Sequence, residues 1–476
     1  VKRIPVLAAA FLMGLSLHPA GAASESPYFD FVPDEGVFAL YAAMNAHGYN
    51  HVSNYLGMAP VRKHVRMEIN ERKDLHDPLR RLAEAVHEIG HTGYPPVWYL
   101  LHAEGPPDFG LRKSDSYSRE TGQLMILWEE GAPSLAELYR KGEFHALWAA
   151  ARPEYERAIA EVAPEADRMA ALAMDAIGVG AAGEIPHRVT VIPNLLGVYG
   201  SGHRFDIDGR PTVVLGPQID PDAGVPVRAL LEVVVREAIE DHLLTIREKR
   251  DLYEMVRDLP RIETATRNFR DLVTECIVQV VWVQVSGQDA RWMGAELDRL
   301  YAEGYILVKA FQEPLGLGGF RSPSEMVGRV LDVVDVGLET ARWNDSERER
   351  KIWIDVMQAD LDRRQGRVSD AGILYAEILE TEPDHPRALY GYGSLLFTQQ
   401  NYDQAKTVLE EAIRQRADER WVEAWSWIRI GWIEDLTGHR DAALDAYRRA
   451  IETGDNHLNA QGVARQGLEK PFGKKR

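Results

Sequence analysis

Cysteine is almost absent from this chain: Cys276 is the one thiol in 476 residues, so no internal disulfide can form. It lies in the apolar stretch DLVTECIVQVVWV, residues 271–283, where it reads as a small buried side chain. The neighbouring Glu275 disfavours a thiolate and with it a reactive role. Positive charge is the second scarcity. Fifty-five Lys and Arg stand against 73 Asp and Glu, a formal charge of −18, which leaves no broad basic face for a nucleic-acid backbone. Long apolar runs are the third. The one at residues 4–17 is short of the roughly 20 residues a membrane helix needs, and no later stretch is long and apolar enough to span.

That first run follows Lys2 and Arg3 and precedes Ala20, Gly21, Ala22 and Ala23, the layout of a secretory signal peptide cleaved after Ala22 or Ala23. The expected location is therefore periplasmic or secreted, with no membrane span after cleavage. The remaining composition, 45% hydrophobic and 27% charged, is that of a globular protein, and the length calls for two or three domains.

Residues 230–246, LLEVVVREAIEDHLLTI, read as an apolar helix with Arg236, Glu237, Glu240, Asp241 and His242 near its middle. Two strand-like runs precede it, HRVTVIP and TVVLGP, with the glycines Gly200 and Gly202 and the turn Asp208-Gly209 predicting a hairpin between them. No Lys-Ser/Thr follows those glycines, so a hairpin explains them better than a phosphate cradle. Some thirty residues after the charged helix comes Glu275 in a second apolar helix. This order resembles the way a zincin metallopeptidase builds its site. In a zincin the first helix carries H-E-x-x-H, two histidines one turn apart on zinc and a glutamate that activates water. The segment R-P-E-Y-E-R-A-I, residues 152–159, within a helical run at 134–178, extends the likeness, which resembles bacterial envelope proteins of gluzincin-like type and covers residues 38–282.

In the motif register this chain reads Arg236, Glu237, Ala238, Ile239, Glu240. The middle glutamate is kept and both histidines are missing. A guanidinium has no lone pair to give a metal, and two carboxylates beside it make a poor zinc site. Arg236 and Glu240 are four apart, so an ion pair can form there. The expectation is a degenerate site filled by a salt-bridge cluster of Arg236, Glu240 and Glu275; the plainer reading is a helix with one polar face.

A literal H-E-x-x-H does occur, at His87-Glu88-Ile89-Gly90-His91. His87 and His91 would share a helix face as metal ligands, with Glu88 as general base. Its surroundings are helical, no third histidine follows, and a distant acid such as Glu129 or Glu130 would have to complete the set. The plainer reading is the polar face of a helix ending at Gly93. Upstream, residues 35–48 read as an amphipathic helix.

The clearest pattern begins near Trp353. Small residues Ala371, Ala405 and Ala443 recur, each followed four positions later by Tyr375, Leu409 and Tyr447, then by Ile378, Ala412 and Ala450. Gly393 and Gly431 take the small position of the preceding helices, behind Leu389 and Trp427, and Pro383 closes a unit. The first interval is 34 residues and the second 38, the extra length being assigned to the turn RADERWVE. This resembles tetratricopeptide repeats over residues 352–454, helical hairpins that bury their faces by stacking. The resemblance implies a groove that docks a protein or peptide partner. Trp421, Trp425, Trp427 and Trp432 read first as core and second as an aromatic patch.

Together these observations predict a mostly α chain with a small sheet. The signal peptide occupies residues 1–22, a helical region 23–180, an α+β zincin-like domain 181–340, an α-solenoid of repeats with a capping helix 352–468, and a loose basic tail 469–476. The expected function is that of an exported protein-binding protein without a cofactor. The alternative is an active zinc metallopeptidase using His87, Glu88 and His91, in which case zinc is the cofactor.

Overall fold

A computed structural model describes residues 26–48, 60–90, 94–113, 117–180, 187–197, 201–217, 224–286, 290–415, 420–455 and 457–473. The signal-peptide segment, His91, Gly93, Gly200 and the last three residues lie outside them. The chain is mostly helical with one small sheet, as the sequence predicts. Among the described residues no helix is long and apolar enough to cross a membrane.

The sheet has four strands: β1 (Phe29–Phe31), β2 (Val189–Pro193), β3 (Gly202–Ile207) and β4 (Arg210–Leu215), in the order β1-β2-β4-β3. β1, β2 and β4 run parallel, and β3 closes the edge antiparallel to β4. Asp208 and Gly209 both have positive φ, 53° and 77°, the geometry of a two-residue hairpin turn that matches strand twist. Gly202 has a separate reason: a Cβ there would stand 2.7 Å from the Val225 methyls, where the next helix begins. β1 was not foreseen, and it ties the N-terminal region into this sheet.

Because side chains alternate along a strand, the sheet serves two cores. Val189, Val191, Val213 and Leu215 face the helices Gly224–Ile239 and Phe269–Val285. Ile192 and Val214 face the N-terminal helices. The long helix Phe144–Ala176 joins both, with Phe144, Trp148 and Tyr155 in one core and Ala166 to Met174 in the other. The helix Glu35–Ala46, capped by Asp34, is not amphipathic: every residue from Gly36 to Asn45 is buried. Its residues are apolar on all sides, so it runs through the middle of the N-terminal core.

The charged helix also departs from expectation. It spans Gly224–Ile239, gives way to a 3-10 turn at Glu240–His242, and resumes as Leu243–Glu248. A tertiary contact holds the break. Ser324 Oγ donates to Asp241 at 2.7 Å, and His242 Nε2 lies 2.8 Å from the Ser324 carbonyl. Gly328 leaves room for that imidazole, since a Cβ would come within 3.0 Å of it.

From Glu347 the chain forms three stacked helical pairs: Glu347–Arg364 with Val368–Thr381, Pro386–Thr398 with Tyr402–Arg414, and Arg420–Thr437 with Arg440–Glu452. The helix Ala460–Glu469 caps them. Ala371, Tyr375, Ile378, Ala405, Leu409, Ala412, Ala443, Tyr447 and Ala450 are all buried. Gly431 is where its pattern needs it, for a Cβ would stand 2.5 Å from the Tyr447 ring. Among the described residues the extra length of the second interval is helix, with 416–419 of the expected turn lying outside them. The helix Arg420–Thr437 has 18 residues where Pro386–Thr398 has 13, so the extra residues add a helical turn that takes in Trp421, Val422 and Glu423.

Candidate functional site

Around residues 232–240 an ion network forms, with different membership from the expected one. Arg204, from the edge strand β3 on the face shared with Val213, reaches Glu232 at 2.6 Å and Glu275 at 2.8 Å. Arg236 binds Glu232 at 2.7 Å, one turn before it, and not Glu240. Glu240 points away and pairs with Arg270 at 2.6 Å. The expected triad of Arg236, Glu240 and Glu275 is thus corrected to Arg204, Glu232, Glu275 and Arg236. The break after Ile239 accounts for the loss of Glu240, because the 3-10 turn rotates it off the face that carries Glu232. Glu237, which the zincin resemblance would put in the water-activating position, is exposed.

The electrostatics follow from burial. Glu275 is buried and Glu232 largely so, while about a third of the Arg204 side chain remains in water (32%). Burial raises the Glu232 carboxyl above its ordinary range, against the pull of Arg204. Burial works against the Arg204 charge too, but Glu275 and Glu232 outweigh it and hold its proton more firmly than usual. Tyr305, beside them, is pushed up to about 12, chiefly by burial, and stays a phenol. The Cys276 thiol is driven up by burial, with Glu275 adding to the effect, as expected of an inert core cysteine.

These residues do not suit zinc. Arg236 has no electron pair to donate, and the carboxylates are already bound to guanidinium groups. The sequence held one readable clue to Glu232, a glutamate four residues before an arginine in the favoured helical orientation. Nothing marked Arg204.

The second candidate motif lies on the helix His76–Gly90, where His87 and Glu88 are exposed. His87 lines a cleft of about 310 Å³ with Ala43, Met44, Leu79 and Leu82. A more open one of about 650 Å³ is lined by His87, Glu88, His47 and Glu130. The acid named as a possible partner therefore shares a wall with the motif. Among the described residues, however, no group of three His, Cys, Asp or Glu side chains could hold a metal ion, and His91 lies outside them.

In the helical stack the first helices touch one another, Glu347–Arg364 with Pro386–Thr398 and that with Arg420–Thr437, and so form one inner wall. On it the Arg387 guanidinium lies between Trp353 and Trp421, 5.7 and 5.6 Å from the ring centres. Asp360, buried beneath, accepts from Arg387 at 3.0 Å and from the Tyr375 hydroxyl at 2.5 Å. Trp425 and Trp432 are buried core residues, while Trp421 and Trp427 are half-buried. The tail is not wholly loose: Phe472 stacks on Trp432, centroids 4.4 Å apart.

A family model described as tetratricopeptide repeat matches residues 363–425. Among curated proteins and among solved structures no significant match is found. The matched span runs from the end of the first pair's first helix into the first helix of the third pair, so the repeat match falls within the stack, and the helices on either side continue it.

Proposed function

We propose that this chain is an exported protein-binding protein: the tetratricopeptide stack docks a protein partner, and the sheet-centred region is a zincin-like scaffold without zinc or peptidase chemistry. The repeat match at residues 363–425 and the inner wall of stacked first helices carry the binding half of this reading. Helical-repeat stacks use such walls to hold extended segments of other proteins. The scaffold half is supported by the order of hairpin, helix and glutamate-bearing helix, and by arginine bound to both carboxylates where a peptidase would hold a cation. Export rests on the sequence of residues 1–22, and N-terminal sequencing of the mature protein should begin at Ala23 or Ser24.

The binding role is tested by placing a photo-crosslinking side chain at Thr398, exposed at the end of an inner helix, and at Thr407, exposed on an outer one. A discrete adduct from position 398 and none from 407 is the expected result. Equal labelling from both positions, or none from either, would remove the reading.

A further inference from the structure

The inner wall already holds a ligand-like segment supplied by the chain itself. After the capping helix ends at Glu469, residues 471–473 turn back over the helix Arg420–Thr437. The Phe472 ring stacks on Trp432 with planes 13° apart, and its other neighbour is Phe397 from the preceding pair, at 6.3 Å. The Arg429 guanidinium lies over Phe397 and Trp432, 5.1 and 4.8 Å from their ring centres. Below the rings, the Asp435 side chain is fully buried. It accepts from Arg440 at 2.8 Å, from the Tyr447 hydroxyl at 2.8 Å and from the Phe472 backbone N–H at 2.8 Å. Two aromatic walls, a cation over them and a buried carboxylate that takes a main-chain N–H are the parts of a site that recognises one aromatic residue on an extended chain.

The grip on this segment is slight. Lys470 and Gly473 are exposed, and Phe472 itself is only half-buried. One ring and one backbone hydrogen bond hold the segment in place, and a short tether favours them by keeping the local concentration of the segment near the millimolar range. The sequence on both sides is basic: Lys470 before, and Lys474, Lys475 and Arg476 after, the last three outside the described residues. In a chain of net charge −18, basic flanks favour approach of such a segment to the stack.

We propose that Phe397, Trp432 and Asp435 form the recognition site for an aromatic residue carried on an extended basic segment of the partner, and that Phe472 is its resident occupant, displaced on binding. This rests on the binding role proposed above for the stack.

The test uses the full chain, unaltered and with Phe472→Ala, and a labelled peptide Lys-Pro-Phe-Gly-Lys-Lys-Arg copied from residues 470–476. In fluorescence anisotropy the variant should bind the peptide saturably and about tenfold or more tighter than the unaltered chain, because the tethered competitor is gone. A control peptide with Ala for Phe should not bind, and Trp432→Ala in the variant should abolish binding. Equal affinity for both chains, or no binding to a folded variant, overturns the proposal. Should the variant fail to fold, hydrogen exchange on the unaltered chain decides: saturating peptide should speed exchange of the Phe472 amide, and unchanged exchange overturns it. A partner crosslinked from position 398 without peptide binding would leave the stack's binding role standing and remove this site alone.

Discussion

The helical stack and the sheet-centred region both bury carboxylates, and they neutralise them over different distances along the chain. In the stack, Asp435 is met by Arg440 and Tyr447, five and twelve residues away. Asp360 is met by Tyr375 and Arg387, fifteen and twenty-seven residues away. Each tyrosine is the same pattern residue of its helical pair, so the chemistry repeats with the fold. In the sheet-centred region Glu275 is met by Arg204, 71 residues earlier and on a strand. The first arrangement survives as long as neighbouring helices stack; the second exists only when hairpin and two helices are all in place. Pairing at Asp435 and Asp360 thus stays between neighbouring helices, whereas at Glu275 it tests the complete tertiary fold. Other buried acids of the central region, Glu303 and Glu339, pair locally with Arg299 and Arg342, four and three residues away.

The contrast can be broken most strongly at Arg204. Arg204→Met leaves Glu232 and Glu275 facing each other without their shared cation. It should cost ~3 kcal/mol, the low end for removing one partner of a buried pair, because part of Arg204 is already in water. The pH dependence has a definite sign. The folded pKa of Glu232 lies above the ordinary 4.5, so the stability linked to that carboxyl is fully present below 4.5 and is lost as pH rises through the folded value. Removing Arg204 raises that value further. The stability gap between Arg204→Met and the parent should therefore be widest at neutral pH and narrow as pH falls through the two folded values, both above 4.5, so that the charge contribution is gone by about 4.5, as denaturant melts at a series of pH values would record. A gap independent of pH would mean that the cluster contributes packing and not charge.

A smaller effect, confined to the stack, is expected of Gly431→Ala. The new methyl would fall 2.5 Å from the Tyr447 ring, and the resulting strain should cost about 2 kcal/mol. Hydrogen exchange should show faster opening of residues 420–452 with the sheet unchanged. Equal loosening of both regions would show that they are not separate in stability. The smallest effect belongs to Arg236→Ala. The arginine side chain is more than half in water (53%), so although Glu232 is largely buried, water screens this pair and the loss should be under about 1 kcal/mol. A loss as large as that at Arg204 would make Arg236 the true centre of the cluster.

The same contrast explains how much could be read in advance. The stack was legible because buried positions recur at fixed offsets and each unit packs on its neighbour; Ala405, Leu409 and Ala412 fall where the pattern puts them. Of the turn expected at residues 416–423, 420–423 are helix and 416–419 lie outside the described residues; this is a boundary error, since Trp421 to Glu423 suit a helix as well as a loop. The hairpin was legible through Asp208-Gly209. β1 was not, because three residues of a parallel edge strand carry no periodicity. The helix is legible from Leu230 to Ile239, but its earlier start at Gly224 is not, and the break beyond Ile239 depends on Ser324 and Gly328, more than 80 residues away. For the same reason Glu240 was placed in the cluster and Arg204 was left out.

Zinc content of the purified full chain, measured by mass spectrometry after incubation with zinc and desalting, decides whether the carboxylates of the proposed zincin-like region are held by arginine or by metal. Well under one zinc per chain, unchanged by Glu275→Gln, is the expected result. One zinc per chain that is lost on Glu275→Gln would contradict it. Zinc lost on His87→Ala instead would return the function to the peptidase reading through His87, Glu88 and His91.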